Sequence, residues 1–386
     1  MINFQLTMPT KIYFGKDSIK KIGKELSSYN RILLLSGSGN LKRIGIYNKV
    51  YEEIMKCNVK IFELEGVLPN PDIEKVREGI EICKKNNVDL IIGVGGGSVI
   101  DSAKAIAAGF YYDGDPWDLF LDEKKVKNGL PIGAILTLAA TGSETNGNSV
   151  ISNRKTKQKL AIHSDCLRPK FAILDPTYTF SVNKYHTAAG SVDIISHVLE
   201  QYFSPTKENF LIDRFSEQII KTVIKYTKIA INEPENYIAR SQLMYSSTLA
   251  LNGLLSSGKI TDWASHAMEH EISATHDVTH GIGLGIIFPK WMRYVLDDER
   301  VWKFEEFAQN VFNINDGDKY EKANLAIKMF ENFLSEISIP DSLKDLNIDK
   351  SYVEIWTENL VQRRKSIGNF KVLFEEDIRN IYNNCF

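Results

Sequence analysis

Apolar positions fall into two regimes along the chain. In the first half, short apolar runs predict strands at Arg31–Leu35, Val59–Leu64, Val88–Val94, Pro131–Leu136 and Phe171–Leu174. Helical spacing between the early runs predicts helices over Ser18–Ser28, Tyr47–Cys57, Ile73–Asn86 and Ser98–Phe110. Strands that are apolar on both faces and alternate with helices imply a mostly parallel sheet covered on both sides. Ser149–Ile151 against Leu160–Ile162 reads as a β-hairpin. From Tyr185 onward the strand pattern stops, and long amphipathic stretches such as Asp213–Ile231 and Tyr237–Leu254 take over. The expectation is an α/β domain over 1–184 and an all-helical domain over 185–386.

Bulk properties narrow the classes. A chain of 386 residues has room for two domains, and 43% hydrophobic with 25% charged residues suits a water-soluble globular protein. A net charge of -2 gives no electrostatic case for nucleic acid or an acidic membrane surface. No apolar run reaches the ~18 residues of a membrane span, and the first ten residues hold no secretory signal core. Cys57, Cys83, Cys166 and Cys385 are scattered and form no C-x-x-C pair, so reduced thiols and a cytoplasmic setting are expected.

Ligands of parallel α/β sheets bind at the carboxyl ends of strands. There, Gly95, Gly96, Gly97 and Ser98 stand between a strand and a helix, with Asp101 and Lys104 about a turn further on. Glycines let the backbone approach a ligand closely, and the helix N-terminus suits a pyrophosphate. A tight turn without a ligand is the plain alternative. The loop Ser36-Gly37-Ser38-Gly39-Asn40, with Lys42 and Arg43 behind it, offers no carboxylate to a ribose 2′-OH. Its small polar side chains and two cations would suit a 2′-phosphate, although a solvated turn is equally consistent. Pro69-Asn70-Pro71 is expected to hold Asn70 extended, as a rigid loop or a cofactor contact. Thr137 and the run Thr141-Gly142-Ser143-Glu144 form a further loop suited to phosphate or ribose. Lys159 and His163 follow on the hairpin, where a solvated lysine is the ordinary reading.

Past His186, five of the seven histidines follow in the second half: His197, His266, His270, His276 and His280. Asp193 and His197 are four apart, as are His266 and His270, which places each pair on one helix face. His280 follows ten residues later, past a polar turn. One carboxylate and three imidazoles from this set would make a divalent-metal site for Fe(II), Zn(II) or a similar ion. Buried or surface histidines with ordinary hydrogen-bond partners are the alternative.

With Ile12-Tyr13-Phe14-Gly15, Leu174-Asp175-Pro176, Asp262-Trp263-Ala264-Ser265-His266 and the loops above, the chain resembles the iron-containing (group III) alcohol dehydrogenases. It is most similar to their NADPH-dependent butanol dehydrogenase branch. The resemblance implies an N-terminal Rossmann-like nucleotide domain, a C-terminal helical metal domain and an active site in the cleft between them. It implies one divalent metal, Fe(II) or Zn(II), on Asp193, His197, His266 and His280, with His270 as the unliganded active-site histidine. Cofactor contacts are implied at Gly37, Ser38, Gly39, Asn40, Gly95, Gly96, Gly97, Ser98, Asp101, Thr137, Ser143 and Lys159; Asn70 and Thr141 join them as candidates on the loop chemistry above. NADP(H) is expected ahead of NAD(H), because Ser38 stands where NADH-preferring members often carry Asp. The implied reaction is reversible hydride transfer between NAD(P)H and a small aldehyde such as butanal, with His270 relaying the proton. Diol, lactaldehyde or methylglyoxal-type substrates, or a non-redox metal lyase or synthase, are the alternatives. A homodimer is implied, His276 has no assigned role, and Trp117 and Trp263 are expected either to line the substrate site or to pack in the core.

Overall fold

A computed structural model describes residues 1–37 and 40–386. The chain divides into two compact units, Thr7–Val182 with Pro234–Asn252, and Met1–Leu6 with Asn183–Glu233 and Gly253–Phe386.

The first unit is built on a six-stranded sheet of order β1-β8-β5-β4-β2-β3, parallel at every pairing. The strands are β1 Lys11–Phe14, β2 Arg31–Gly37, β3 Lys60–Val67, β4 Leu90–Gly95, β5 Ile132–Leu136 and β8 Phe171–Leu174. β6 Asn148–Asn153 and β7 Gln158–His163 form a separate antiparallel hairpin. It pairs Ser149 with Ile162 and Ile151 with Leu160, the two segments expected to face each other in a hairpin. Leu34 opposite Ile92 and Gly93 opposite Ala134 set the register of the central strands. Every residue of β4 and β5 is buried. Removing a Val, Leu or Ile side chain from water contributes about 1.5–3 kcal/mol, so these apolar runs hold the sheet between its helical layers.

Helices follow the spacing closely. Ile73–Asn86 is helical over the predicted span, starting where the Asp72 carboxylate accepts the Glu74 N–H and ending at Asn87 in the left-handed region. Gly97–Phe110 follows β4. The predicted helix at Ser18 is a 3₁₀ turn over Ser18–Lys21 continuing as Ile22–Leu26. β1 is a strand that the apolar pattern did not reveal, because a four-residue edge strand with mostly exposed side chains carries almost no periodic signal.

The helix Tyr237–Ala250 belongs to the sheet unit, whereas a single division after residue 184 places it with the helical half. Polar anchoring explains its position. The Thr248 hydroxyl donates to Glu144 Oε1 at 2.6 Å, and the Gly142 N–H donates to Ser247 Oγ at 3.3 Å. The second unit contains no strand among the described residues; Ile367 and Leu373 form only an isolated bridge. Its helices include Lys184–Tyr202, Phe210–Asn232, Ala264–His276 and His280–Val295. Phe203 centres an aromatic core, 4.7 Å from Phe304 and 5.6 Å from Trp291 between ring centroids. Among the described residues no helix is long and apolar enough to cross a membrane.

Candidate metal centre and nucleotide loops

The histidine cluster grows from three helices of the second unit. Asp193 and His197 share a face of Lys184–Tyr202, whose first turn is capped by the Asn183 side chain accepting the His186 N–H. His266 and His270 lie on Ala264–His276, and His280 opens His280–Val295. One ligand atom each from Asp193, His266 and His280 lies within 4.8 Å of the others. His197 stands beside them, its ring stacked 4.8 Å from His266 and its Nε2 3.6 Å from Asp193 Oδ1. The His270 ring lies 5.4 Å from that of His280. His276 is turned to other work: its ring packs 4.3 Å from Tyr352 and its Nδ1 lies 2.8 Å from the Thr275 hydroxyl.

Two buried carboxylates stand behind the imidazoles. Glu200 Oε1 accepts both the His266 backbone N–H at 2.9 Å and the ring Nδ1–H at 2.8 Å, while Oε2 accepts the Trp263 N–H at 2.6 Å. Glu200 thus satisfies the start of the His266 helix and sets the orientation of its ring. Asp262 completes this corner by accepting the N–H groups of Asn369 at 2.6 Å and Phe370 at 2.7 Å. Desolvation first, and then the Glu200 carboxylate, raise the Asp262 carboxyl above its ordinary range. Glu269 receives the Nδ1–H of His280. Neither Glu200 nor Glu269 was singled out from the sequence. Glu200 lies 66 positions from His266, so local spacing could not have exposed the pair; Glu269, three residues after His266, was the more visible of the two.

The donor set fits a divalent cation. With Nδ1 committed to Glu200, the Nε2 of His266 is buried and has no hydrogen-bond partner. A buried imidazole nitrogen without a partner is costly in an apolar setting and natural for a ligand atom. One carboxylate and neutral imidazoles without thiolate suit Fe(II) or Zn(II). Trp263 borders the cluster, half-buried, with its ring 5.1 Å from His266. Trp117 packs instead on Phe120 in the sheet unit, 5.4 Å between centroids.

The candidate nucleotide loops lie at the carboxyl ends of β2, β4 and β5. Gly95 ends β4, and the extended Gly96 caps Gly97–Phe110 with no side-chain acceptor for the first N–H groups. Gly96 and Ser98 are partly exposed. A Cβ on Gly97 would lie 2.5 Å from Thr141 Cγ2, so the glycine permits the two loops to touch. The Thr137 N–H donates to Gly95 O at 3.0 Å, joining β5 to the same turn. Gly37 ends β2; Ser38 and Gly39 lie outside the described residues, and Asn40 begins a short helix to Arg43. Asn70 is not extended. Its φ of 48° lies in the left-handed region, which asparagine tolerates better than most residues.

Asp101 uses both oxygens within the protein. Oδ1 accepts the Ser143 hydroxyl at 2.5 Å and Oδ2 the Val150 N–H at 2.9 Å. The fully buried Lys104 donates to Ser143 Oγ at 2.7 Å, Asn146 Oδ1 at 3.0 Å and Asn148 O at 2.7 Å. Burial pushes the Lys104 ammonium down to about 8 against the opposing pull of Asp101 and Glu144. Burial raises the Asp101 carboxyl, with Lys104 the largest opposing influence and Lys159 a smaller one. Lys159 is buried on β7, opposite Ser152, which is not the solvated position ordinary for a lysine.

Comparison with known proteins assigns a family to the chain. Residues 9–176 match the model of the iron-containing alcohol dehydrogenases, and residues 187–386 that of the C-terminal part of the Fe-containing alcohol dehydrogenase family. NADH-dependent butanol dehydrogenase A of Clostridium acetobutylicum is 46% identical over 389 residues, covering 100% of both chains. The NADPH-dependent aldehyde reductase YqhD of Escherichia coli is 36% identical, over 92% of this chain and 91% of its own. The crystal structure of NADH-dependent butanol dehydrogenase A from Thermotoga maritima superposes with a TM-score of 0.96 at 40% identity, covering 100% of this chain and 99% of that one.

Proposed function

Because this chain belongs to the iron-containing alcohol dehydrogenase family, we propose that it interconverts small aldehydes such as butanal and their primary alcohols with a nicotinamide cofactor. The observation that carries this reading is the buried, partnerless Nε2 of His266 beside Asp193 and His280. When bound, the metal supplies Lewis acidity to a carbonyl oxygen and NAD(P)H supplies the hydride. Asp193, His197, His266 and His280 hold the cation. His270 carries a proton on a ring nitrogen and delivers it to the carbonyl-derived oxygen. Gly95, Gly96, Gly97 and Ser98 cradle the pyrophosphate, flanked by Gly37, Ser38, Gly39, Asn40, Asn70, Thr137, Thr141 and Lys159. Asp101 acts through Ser143, which it holds in place. The half-buried Trp263 ring beside His266 supports an apolar, short-chain substrate.

NADH is the first choice of cofactor. Lys42, expected to attract a 2′-phosphate, is ion-paired with Glu65 and lies 3.8 Å from Glu63, so its charge is already matched. The relatives named NADH-dependent butanol dehydrogenases support the same choice. NADPH, the expectation from the sequence, remains the second reading because Ser38 brings no repelling carboxylate. A homodimer is supported by the sheet edge at β1, which is paired on one side and exposes Ile12 and Phe14. Four free cysteines suit a cytoplasmic setting.

The test is butanal-dependent oxidation of NADH and of NADPH by protein loaded in turn with Fe(II) or Zn(II), or stripped by chelator. Metal-dependent oxidation with NADH ahead is expected. Undiminished turnover in verified metal-free protein overturns the mechanism, and NADPH ahead overturns only the cofactor choice. Light scattering on the same preparation reports the dimer.

A further inference from the structure

We propose that Glu269 is a positioning residue for the metal centre, holding His280 in the tautomer and ring orientation that presents Nε2 to the cation. Three observations carry this. First, the two ring nitrogens of His280 point to different carboxylates. Nδ1 is hydrogen-bonded to Glu269 Oε2, and Nε2 lies 3.8 Å from Asp193 Oδ1, on the metal side. A carboxylate on Nδ1–H leaves Nε2 as the lone-pair atom and makes it a stronger donor to a metal. Second, Glu269 is itself fully buried and held, its Oε1 accepting the hydroxyl of Ser273 one turn along the same helix. A buried carboxylate needs hydrogen-bond donors, and the His280 ring and the Ser273 hydroxyl supply them. Third, the neighbouring helix makes room for it. A Cβ on Gly283 would lie 2.8 Å from both Cγ and Oε1 of Glu269. The glycine one turn after His280 therefore seats the carboxylate that holds His280.

Glu200 serves His266 in the same way, but it also accepts N–H groups at the start of a helix, so its loss would disturb more than a ring. Glu269 reaches His280 and Ser273 through side chains, which makes it the more direct probe of a ring. The geometry also admits a rival role. One ligand atom each from Glu269, His270 and His280 lies within 4.8 Å of the others, so Glu269 could bind a cation directly. The Nδ1–H bond already occupies the oxygen that faces His280, which favours the positioning role.

The inference rests on Asp193, His197, His266 and His280 being the ligands. The experiment measures Zn(II) and Co(II) dissociation constants of the full-length protein by competition with a chromophoric chelator, with no turnover required. Glu269→Ala should weaken binding by about 10- to 100-fold, the usual range for loss of an outer carboxylate. Glu269→Gln keeps an oxygen for Nδ1–H and should lose less than Glu269→Ala. Gly283→Ala should weaken binding in the same direction. The visible bands of bound Co(II) should keep the wild-type ligand count in Glu269→Gln. Far-UV circular dichroism confirms folding, and Glu269→Gln and Gly283→Ala carry the test if Glu269→Ala does not fold. Dissociation constants within twofold of wild type in folded Glu269→Gln and Gly283→Ala overturn the inference while leaving the ligand set intact. Co(II) bands in Glu269→Gln that shift as far as those of His280→Gln identify Glu269 as a ligand and overturn it as well. Wild-type protein that binds no metal, or His280→Ala that binds as tightly as wild type, overturns the ligand set and the inference with it.

Discussion

The buried charges of the two units are organised differently. Around Asp101 and Lys104 the carboxylate oxygens and the ammonium all meet protein partners: Ser143, Val150, Asn146 and the Asn148 carbonyl. Around His266 the outer nitrogen is bonded to Glu200, whereas the inner one has no hydrogen-bond partner. A buried polar set that closes on itself specifies a loop conformation. A set closed on its outer side and open on its inner side is preorganised for a ligand that the protein does not itself contain. Similar chemistry, buried to a similar degree, closes on itself in one place and, in the other, leaves open the atom on which the proposed metal site rests.

The sharpest way to break this contrast is to remove the open atom. His266→Ala should abolish metal retention, read by elemental analysis, and lower kcat/KM by about 10²–10³-fold or more, as for loss of a principal electrostatic stabiliser. His270→Ala should slow turnover and leave the metal content of purified protein intact; equal loss of metal there would move His270 into the ligand set.

Next comes the closed cluster. Lys104→Met strips three donors from buried acceptors and removes the cation with the largest influence on Asp101, so urea denaturation should show a loss of about 3 kcal/mol. Unchanged stability would show that the cluster is not a structural lock. The same variant carries a pH signature. The Lys104 ammonium titrates near 8 in the folded protein against an ordinary 10.5. Between those values the unfolded chain binds more protons, so this group's contribution to stability rises with pH across about 8 to 10.5. Lys104→Met should lack that rise, seen as a difference between the two unfolding free energies over this window. Parallel curves would show that the folded ammonium keeps its ordinary affinity for the proton.

The smallest effect is expected at Asn70. Asn70→Gly preserves the left-handed backbone and removes the side chain. A cofactor contact there should raise the KM for NAD(P)H by about threefold to tenfold, the worth of one hydrogen bond. An unchanged KM would make Pro69-Asn70-Pro71 a rigid turn and nothing more.

Much of this fold is legible in the amino-acid sequence. Five strands follow from short continuous apolar runs, because a sheet covered on both sides buries both faces of its strands, and the span of Ile73–Asn86 follows from the 3.6-residue repeat of a helix face. The spacing of Asp193 with His197 and of His266 with His270 likewise puts each pair on one helix face. Local repeats also concealed things. β1 is too short and too exposed to show one, and the left-handed Asn70 departs from the extended form that a following proline favours.

What the amino-acid order determined by itself was therefore the kind of each element and which side chains share its face, since both depend on neighbours a few residues away. What only the tertiary structure decided was which faces meet. Glu144 holds Thr248 in a helix 104 positions distant, Glu200 sets the ring of His266, and Glu269 is seated by Gly283 from the next helix. Such pairings are chosen by desolvation and close packing between elements remote in the chain, and residue spacing carries no record of them.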